Sequence, residues 1–450
     1  MARAEAAGEG PPTGPRGAEP RLRLGPRPLP QHLLTATLGW SSSLAMWRLW
    51  SAGSNGSRPP LAPSLAPLAP DLANADPDAF AAALERETFR RLDRLAAGIA
   101  AYRAHPYRRH VMAEPPAVWQ EGTTRLLDYG AVAERGGTAK RRSRRPAVLV
   151  VPSLINRAYI LDLEPERSLM RFLAREGFAP FLVDWGAPAE TERRFTLTDY
   201  IAGRIEAALD AVKARQGGAP VLLLGYCMGG LLALAAAQRR RRDLAGLVLM
   251  ATPWDFHAER PEQARLLGAI GFALAPFLAE WGELPVDGLQ ALFAGVDPFQ
   301  VIRKFLAFAE LDPDSDKARQ FVALEDWLND GVPLAAPVAL ECLVGWYGAN
   351  APARGQWLIA GEAVEPAALD LPALVVLPDQ DRIVPPKSAA ALAAALPKAE
   401  RLTPAAGHIG MVVGSGAEAK LWRPLGQWMS ARTSMRAPAR ARARPSRISA

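Results

Sequence analysis

The chemistry this 450-residue chain could perform is concentrated in two cysteines, Cys227 and Cys342, and five histidines. One thiol is set apart by its neighbours. Gly225-Tyr226-Cys227-Met228-Gly229-Gly230 follows the apolar run Val221–Leu224 and precedes the helix-forming run Leu231–Ala237. A strand, a sharp glycine-flanked turn and a helix, with a nucleophile at the apex, form a nucleophile elbow. The glycines on both sides leave room for a turn too tight for side chains. Cysteine at the apex, in place of the commoner serine, points to thioester and acyl-transfer chemistry.

A thiol nucleophile needs a base, and the base needs a group to orient it. In elbow enzymes the chain order is nucleophile, acid, histidine. Of the five histidines, His32, His105, His110 and His257 lie too early, which leaves His408 in the small-residue loop Ala405-Ala406-Gly407-His408-Ile409-Gly410. The acid should follow the apolar strand Leu374–Leu377, where Asp379 and Asp381 both qualify. The spacings are 381 − 227 = 154 and 408 − 381 = 27. The oxyanion of an acyl-transfer intermediate requires backbone N–H donors, expected from Met228 and from the loop Pro152–Ile155, with Ile155 as the candidate there. Cys342 and His257 read as structural residues. The sequence shows no metal-ligand cluster and no phosphate- or dinucleotide-binding glycine pattern, so no bound cofactor is expected.

These groups require a scaffold of alternating strands and helices. Short apolar runs at Ala147–Val151, Ala179–Val183, Val221–Leu224, Leu244–Met250 and Leu374–Leu377 read as buried strands. Helical stretches at Leu169–Glu176, Leu197–Arg215 and Leu421–Met429 separate or close them. That alternation predicts an α/β fold with a mostly parallel central sheet. Residues 255–365 break the rhythm with mainly helical, aromatic-rich sequence and read as a cap inserted over the site. A strand-like stretch from Trp119 to Tyr129 and a helical pattern from Asp78 past Leu95 precede the sheet.

An apolar fraction of 49% supports a sizeable core. Two cysteines suit a reducing compartment, hence a cytoplasmic expectation. The net charge is +7, and Arg432, Arg436, Arg440, Arg442, Arg444 and Arg447 in the last twenty residues account for six of it. With the remainder near neutral, a nucleic-acid partner is not expected. Residues 1–75, rich in Pro, Arg and Ala, and the arginine tail 431–450 read as disordered, which leaves 76–430 as the catalytic unit. Lys140–Arg145 reads as a solvated basic loop. No stretch is expected to supply the roughly 20 apolar residues of a membrane span.

Several separated segments together resemble the polyhydroxyalkanoate synthases, in particular their short two-component class, on an α/β-hydrolase fold. They are Val151–Arg157 with Tyr159–Leu163, Val183–Gly186 with Leu197–Tyr200, Gly225–Gly230, Ala251–Phe256, Asp381–Pro386 and Gly407–Gly410. The likeness spans about residues 115–430. It implies that Asp381, heading the Ile-Val-Pro segment, is the acid of a Cys227–His408–Asp381 triad. It also implies polymerisation of 3-hydroxyacyl-CoA with release of coenzyme A, which takes part as substrate only. A companion synthase subunit, a homodimer and a polymer granule surface follow as expected partners. Arg382 departs from the histidine usual after that aspartate. The principal alternative is a monomeric thioesterase or carboxylic ester hydrolase on the same triad.

Overall fold

The computed structural model describes residues 23–53, 60–134 and 145–434. Its centre is one eight-stranded sheet. The strands in chain order are β1 (Ala117–Glu121), β2 (Thr124–Asp128), β3 (Ala147–Val151), β4 (Ala179–Asp184), β5 (Val221–Tyr226), β6 (Leu244–Met250), β7 (Ala373–Val376) and β8 (Ala399–Leu402). Their spatial order is β1-β2-β4-β3-β5-β6-β7-β8. β2 runs antiparallel to β1 and β4, and the pairings from β4 through β8 are parallel. The central strands are buried on both faces, which is why they read as unbroken apolar runs.

The period of two along each strand separates two cores. Leu149, Val151, Leu223, Leu247 and Val375 face one side, packed with the helices α4 (Glu206–Arg215), α5 (Met228–Arg239) and α10 (Pro386–Ala395). Val148, Val150, Leu222, Val248 and Val376 face the other, packed with α3 (Leu169–Arg175) and α11 (Arg423–Ser434). The stretch expected as one helix over 197–215 begins as a π-helical turn, Asp199–Ile205, before α4. β8 escaped the sequence reading because Ala399-Glu400-Arg401-Leu402 is an edge strand with exposed polar side chains and no apolar run.

Between β6 and β7 lie α6 (Pro261–Trp281), α7 (Val286–Ala294), α8 (Gln300–Phe308), α9 (Asp316–Asn329) and the helical segment Ala336–Gly348. α6 crosses that last segment at unusually close range. A Cβ on Gly268 would lie 2.4 Å from Gly348 Cα, and one on Gly271 would lie 2.5 Å from Leu343 Cβ. The expectation of no span-length apolar stretch needs correction. α6 has 21 residues and is long and apolar enough to cross a membrane by length and composition. Its Ala264, Gly268, Gly271 and Leu278 are buried, whereas Phe272, Phe277 and Trp281 are exposed.

The N-terminal expectation also needs correction. Residues 1–22 and 54–59 lie outside the described residues, but Leu29–Ala52 forms a 24-residue helix, α1. It is held by burial rather than by capping: Trp47 and Trp50 are buried with Ala81 of α2 (Pro77–Ala104). Trp47 stacks with Trp50, meets Phe80 edge-on, and donates from Nε1 to the Pro77 carbonyl at 2.9 Å. α2 itself starts with Asp76, which accepts from the Ala79 N–H, and buries Leu95, Ile99 and Tyr102 with Phe305 and Phe308 of α8. The basic run Lys140–Arg144 lies outside the described residues. So do residues 435–450 of the tail, whereas 431–434 continue α11.

Candidate active site

Cys227 sits between the end of β5 and the start of α5 with φ 57° and ψ −127°. A non-glycine residue at positive φ costs on the order of 1–3 kcal/mol and persists only where its surroundings impose it. Here they do. The Cys227 N–H donates to the Met250 carbonyl on β6 at 2.8 Å. A Cβ on Gly229 would lie 2.2 Å from the Val151 carbonyl oxygen and 2.5 Å from that of Pro152. A Cβ on Gly230 would meet Thr252 Oγ1 at 1.8 Å. The glycines after the nucleophile therefore let the helix start press against the ends of β3 and β6. The thiol is left partly exposed above the sheet.

The loops after β7 and β8 carry the other two groups to it. His408 Nδ1 lies 2.7 Å from Asp381 Oδ2, and both side chains are nearly inaccessible. Asp381 Oδ1 accepts from the N–H groups of Ile383 and Val384, each at 2.8 Å. Both carboxylate oxygens are thus engaged, by three donors in all, which fixes the ring facing it. With Nδ1 engaged by Asp381, the ring nitrogen left to act on the Cys227 thiol is Nε2. Burial pulls the His408 pKa down, but the charge on Cys227 and the bonds to Asp381 and Cys227 outweigh it and lift the value to about 10. The protonated ring is therefore the favoured form of His408 in this site. Tyr226, the residue before the nucleophile, stacks on the His408 ring at 5.3 Å and donates to the His408 carbonyl at 3.1 Å. The sequence reading passed over Tyr226, although its place inside the glycine-flanked turn was a signal.

Asp379, the other acid at this strand end, faces away. Its Oδ1 accepts from the Ala406 N–H at 3.1 Å and braces the loop. Met228 opens α5 directly after the nucleophile. The Ile155 N–H is engaged in its own loop, donating to the Ser153 hydroxyl at 3.0 Å, so Ile155 requires correction as a free donor. The short Pro-Ser-Leu-Ile turn closes on its own serine. Cys342 is buried in the cap, and burial first, with Glu341 second, pushes its thiol pKa up. His257 holds the cap base: its ring Nε2 lies 2.8 Å from the Tyr347 carbonyl. Beside it, Asn350 accepts from the Phe256 N–H and donates to Asp255.

A family model described as the alpha/beta hydrolase fold matches residues 146–415, and one described as the poly-beta-hydroxybutyrate polymerase (PhaC) N-terminus matches residues 110–173. The poly(3-hydroxyalkanoate) polymerase subunit PhaC of Synechocystis sp. is 31% identical over 295 residues, which cover 63% of this chain and 78% of that protein. The PhaC subunit of Allochromatium vinosum is 29% identical over 288 residues, covering 63% and 81%. That of Haloferax mediterranei is 30% identical over 319 residues, covering 70% of this chain and 63% of its own length. The chain belongs to the poly(3-hydroxyalkanoate) polymerases, a family of acyltransferase enzymes on the α/β-hydrolase fold.

Proposed function

We propose that this chain polymerises 3-hydroxyacyl-CoA into polyhydroxyalkanoate through a covalent thioester on Cys227. The observation that carries the reading is the strained Cys227 turn facing a histidine whose far nitrogen is locked by Asp381 at 2.7 Å. His408 Nε2 takes the thiol proton, and the thiolate attacks the thioester carbonyl. The bond to the coenzyme A sulfur breaks, and that sulfur leaves with the proton held by His408. Thioester exchanges for thioester, so the acyl group stays activated. In the second half His408 takes the proton of a 3-hydroxyl group, whose oxygen attacks the acyl carbon. An ester forms, and the Cys227 thiolate is released.

Asp381 acts by orienting His408. With one oxygen on the ring, the other on two N–H groups and almost no exposed surface, it has little room to meet a substrate hydroxyl. The Met228 N–H is the first oxyanion donor. Ile155 supplies a second only after the Ser153 hydroxyl turns away from its N–H. Losing one such donor costs roughly 10²–10³ in rate. The free state of both cysteines supports a reducing, cytoplasmic setting. The relatives are each named as a subunit, and this supports a companion subunit for this chain; a homodimer and a granule surface complete the proposed partners.

The test is incubation with 3-hydroxybutyryl-CoA, following free coenzyme A and polymer together. Release of both, abolished in Cys227→Ala, is the expected result. Coenzyme A accompanied only by free 3-hydroxybutyrate makes the chain a hydrolase. Polymer made by Cys227→Ala removes the thiol from the mechanism.

A further inference from the structure

A groove of about 500 Å³ lies where α1, α2 and α8 meet, and none of the residues lining it belongs to the Cys227, His408 and Asp381 site. Its floor is apolar: Trp40 of α1, Phe299 at the head of α8, and Ile302 and Leu306 within α8. Gly39 brings the two aromatic side chains together, because a Cβ there would lie 2.8 Å from the Phe299 ring, and Trp40 is the next residue. Ile302 is buried, and Trp40 and Leu306 pack on the same core, so the floor is held from below. The rim is basic. Arg90, Arg91 and Arg94 line it from α2 at helical spacing, and Arg303 lines it from α8. Glu87 accepts from Arg90 and Arg91 at 2.7 Å, Glu310 pairs with Arg94, and Asp297 accepts from Arg303 at 2.5 Å. Four guanidinium groups against three carboxylates leave one positive charge in excess. These pairs orient the arginines while using few of their donors: Arg91 is engaged through Nε and Arg303 through one Nη2. A guanidinium carries five N–H groups, so most of theirs remain for an incoming anion.

We propose that this groove is a nucleotide site, in which a flat base lies on the Trp40–Phe299 floor and the phosphates meet the arginines. The proposal stands independently of the polymerase reading. A bare inorganic anion would leave the aromatic floor wet, and a single carboxylate would engage only a fraction of four guanidinium groups. A planar base joined to two or more phosphate groups uses both. Arginine forks match phosphate oxygens two at a time, and bases stack on aromatic side chains whatever their identity. The exposed ion pairs now on Arg90 and Arg91 are weak enough to be exchanged for phosphate. The volume falls within the roughly 300–1,000 Å³ of small-molecule sites. Two sources carry this chemistry: free nucleoside polyphosphates, and the nucleotide end of coenzyme A.

The experiment is equilibrium dialysis of the full chain against radiolabelled ADP. One ADP per chain is expected, with a Kd below about 1 mM. The double variant Arg91→Gln, Arg94→Gln should weaken binding by about 10-fold or more, the loss of a charge-assisted hydrogen bond. Trp40→Leu should weaken it by about 5-fold or more, and Trp40→Phe, which keeps a flat ring, should stay closer to the parent. Thermal melting checks that each variant is folded. No binding of ADP by the parent, or an unchanged affinity in the folded arginine variant, overturns the site. Pyrophosphate bound as tightly as ADP, or a folded Trp40→Leu with the parent's affinity, overturns the role of the floor and with it the nucleotide assignment. Competition then separates the two sources. Displacement of bound ADP by coenzyme A assigns the site to coenzyme A, and displacement by ATP alone assigns it to free nucleotides. Failure of both to displace ADP overturns the proposal.

Discussion

Replacing Asp381 by asparagine is the sharpest probe of the site, because it keeps the shape and changes only what each oxygen position can do. The side chain now meets three donors: His408 Nδ1 at 2.7 Å and the N–H groups of Ile383 and Val384 at 2.8 Å each. An amide has one oxygen. If that oxygen faces the ring, the amide nitrogen faces two backbone N–H groups, and both lose their acceptor, at about 1–3 kcal/mol for the buried Val384 N–H. The cheaper arrangement keeps the oxygen on the backbone pair and turns the nitrogen to His408. Nδ1 must then accept, the ring proton moves to Nε2, and the nitrogen that should take the Cys227 proton is blocked. Loss of one charge-assisted hydrogen bond alone, about 1.5–3 kcal/mol, is roughly 10–150-fold in rate. The wrong tautomer in a comparable triad costs about 10⁴. A fall of about 10²–10⁴ in single-turnover coenzyme A release from 3-hydroxybutyryl-CoA is therefore expected. Asp379→Asn, which keeps an oxygen for the Ala406 N–H, should stay within about 5-fold of the parent, since it breaks no contact to the histidine. A folded Asp381→Asn within that same range, or an equal loss in Asp379→Asn, would refute the orienting role.

Other outcomes follow from the same geometry. Gly229→Ala drives a methyl group to 2.2 Å from the Val151 carbonyl oxygen; it should lower stability by about 1–3 kcal/mol and suppress activity, as thermal melting and turnover will show. Trp47→Ala removes the buried ring that ties α1 to α2; a cost of about 3–5 kcal/mol at that contact should expose α1 to limited proteolysis while turnover persists. In Cys227→Ala the leading cause that raises His408 is gone, so its ring should titrate well below about 10 in an NMR pH series. The sign for stability follows. A folded-state pKa above the ordinary 6.5 means that protonated His408 stabilises the fold below about pH 6.5, and that this stabilisation fades as pH rises towards about 10. Melting temperatures across that window should fall more in the parent than in Cys227→Ala.

The amino-acid sequence by itself determined the local chemistry and the layer plan. Gly225 to Gly230 after an apolar run can hardly be anything but a strained turn, because only absent side chains permit that approach of backbone to backbone. Ala147–Val151 and Leu244–Met250 coincide with strands to the residue, since strands buried on both faces must be apolar throughout. What depends on contacts between distant residues was not legible. Asp379 and Asp381 are equivalent by position, and only the folded loop turns one towards His408 and the other towards Ala406. The Ile155 N–H is different, since it is taken by a serine only two residues earlier, a local closure that the reading of the sequence passed over. α1 falls in the Pro-, Arg- and Ala-rich stretch that reads as disordered; burial of Trp47 and Trp50 against α2 holds it as a helix. Side-chain periodicity reports which face of an element meets a core. Which core, and which partner across it, is decided only when the chain has closed.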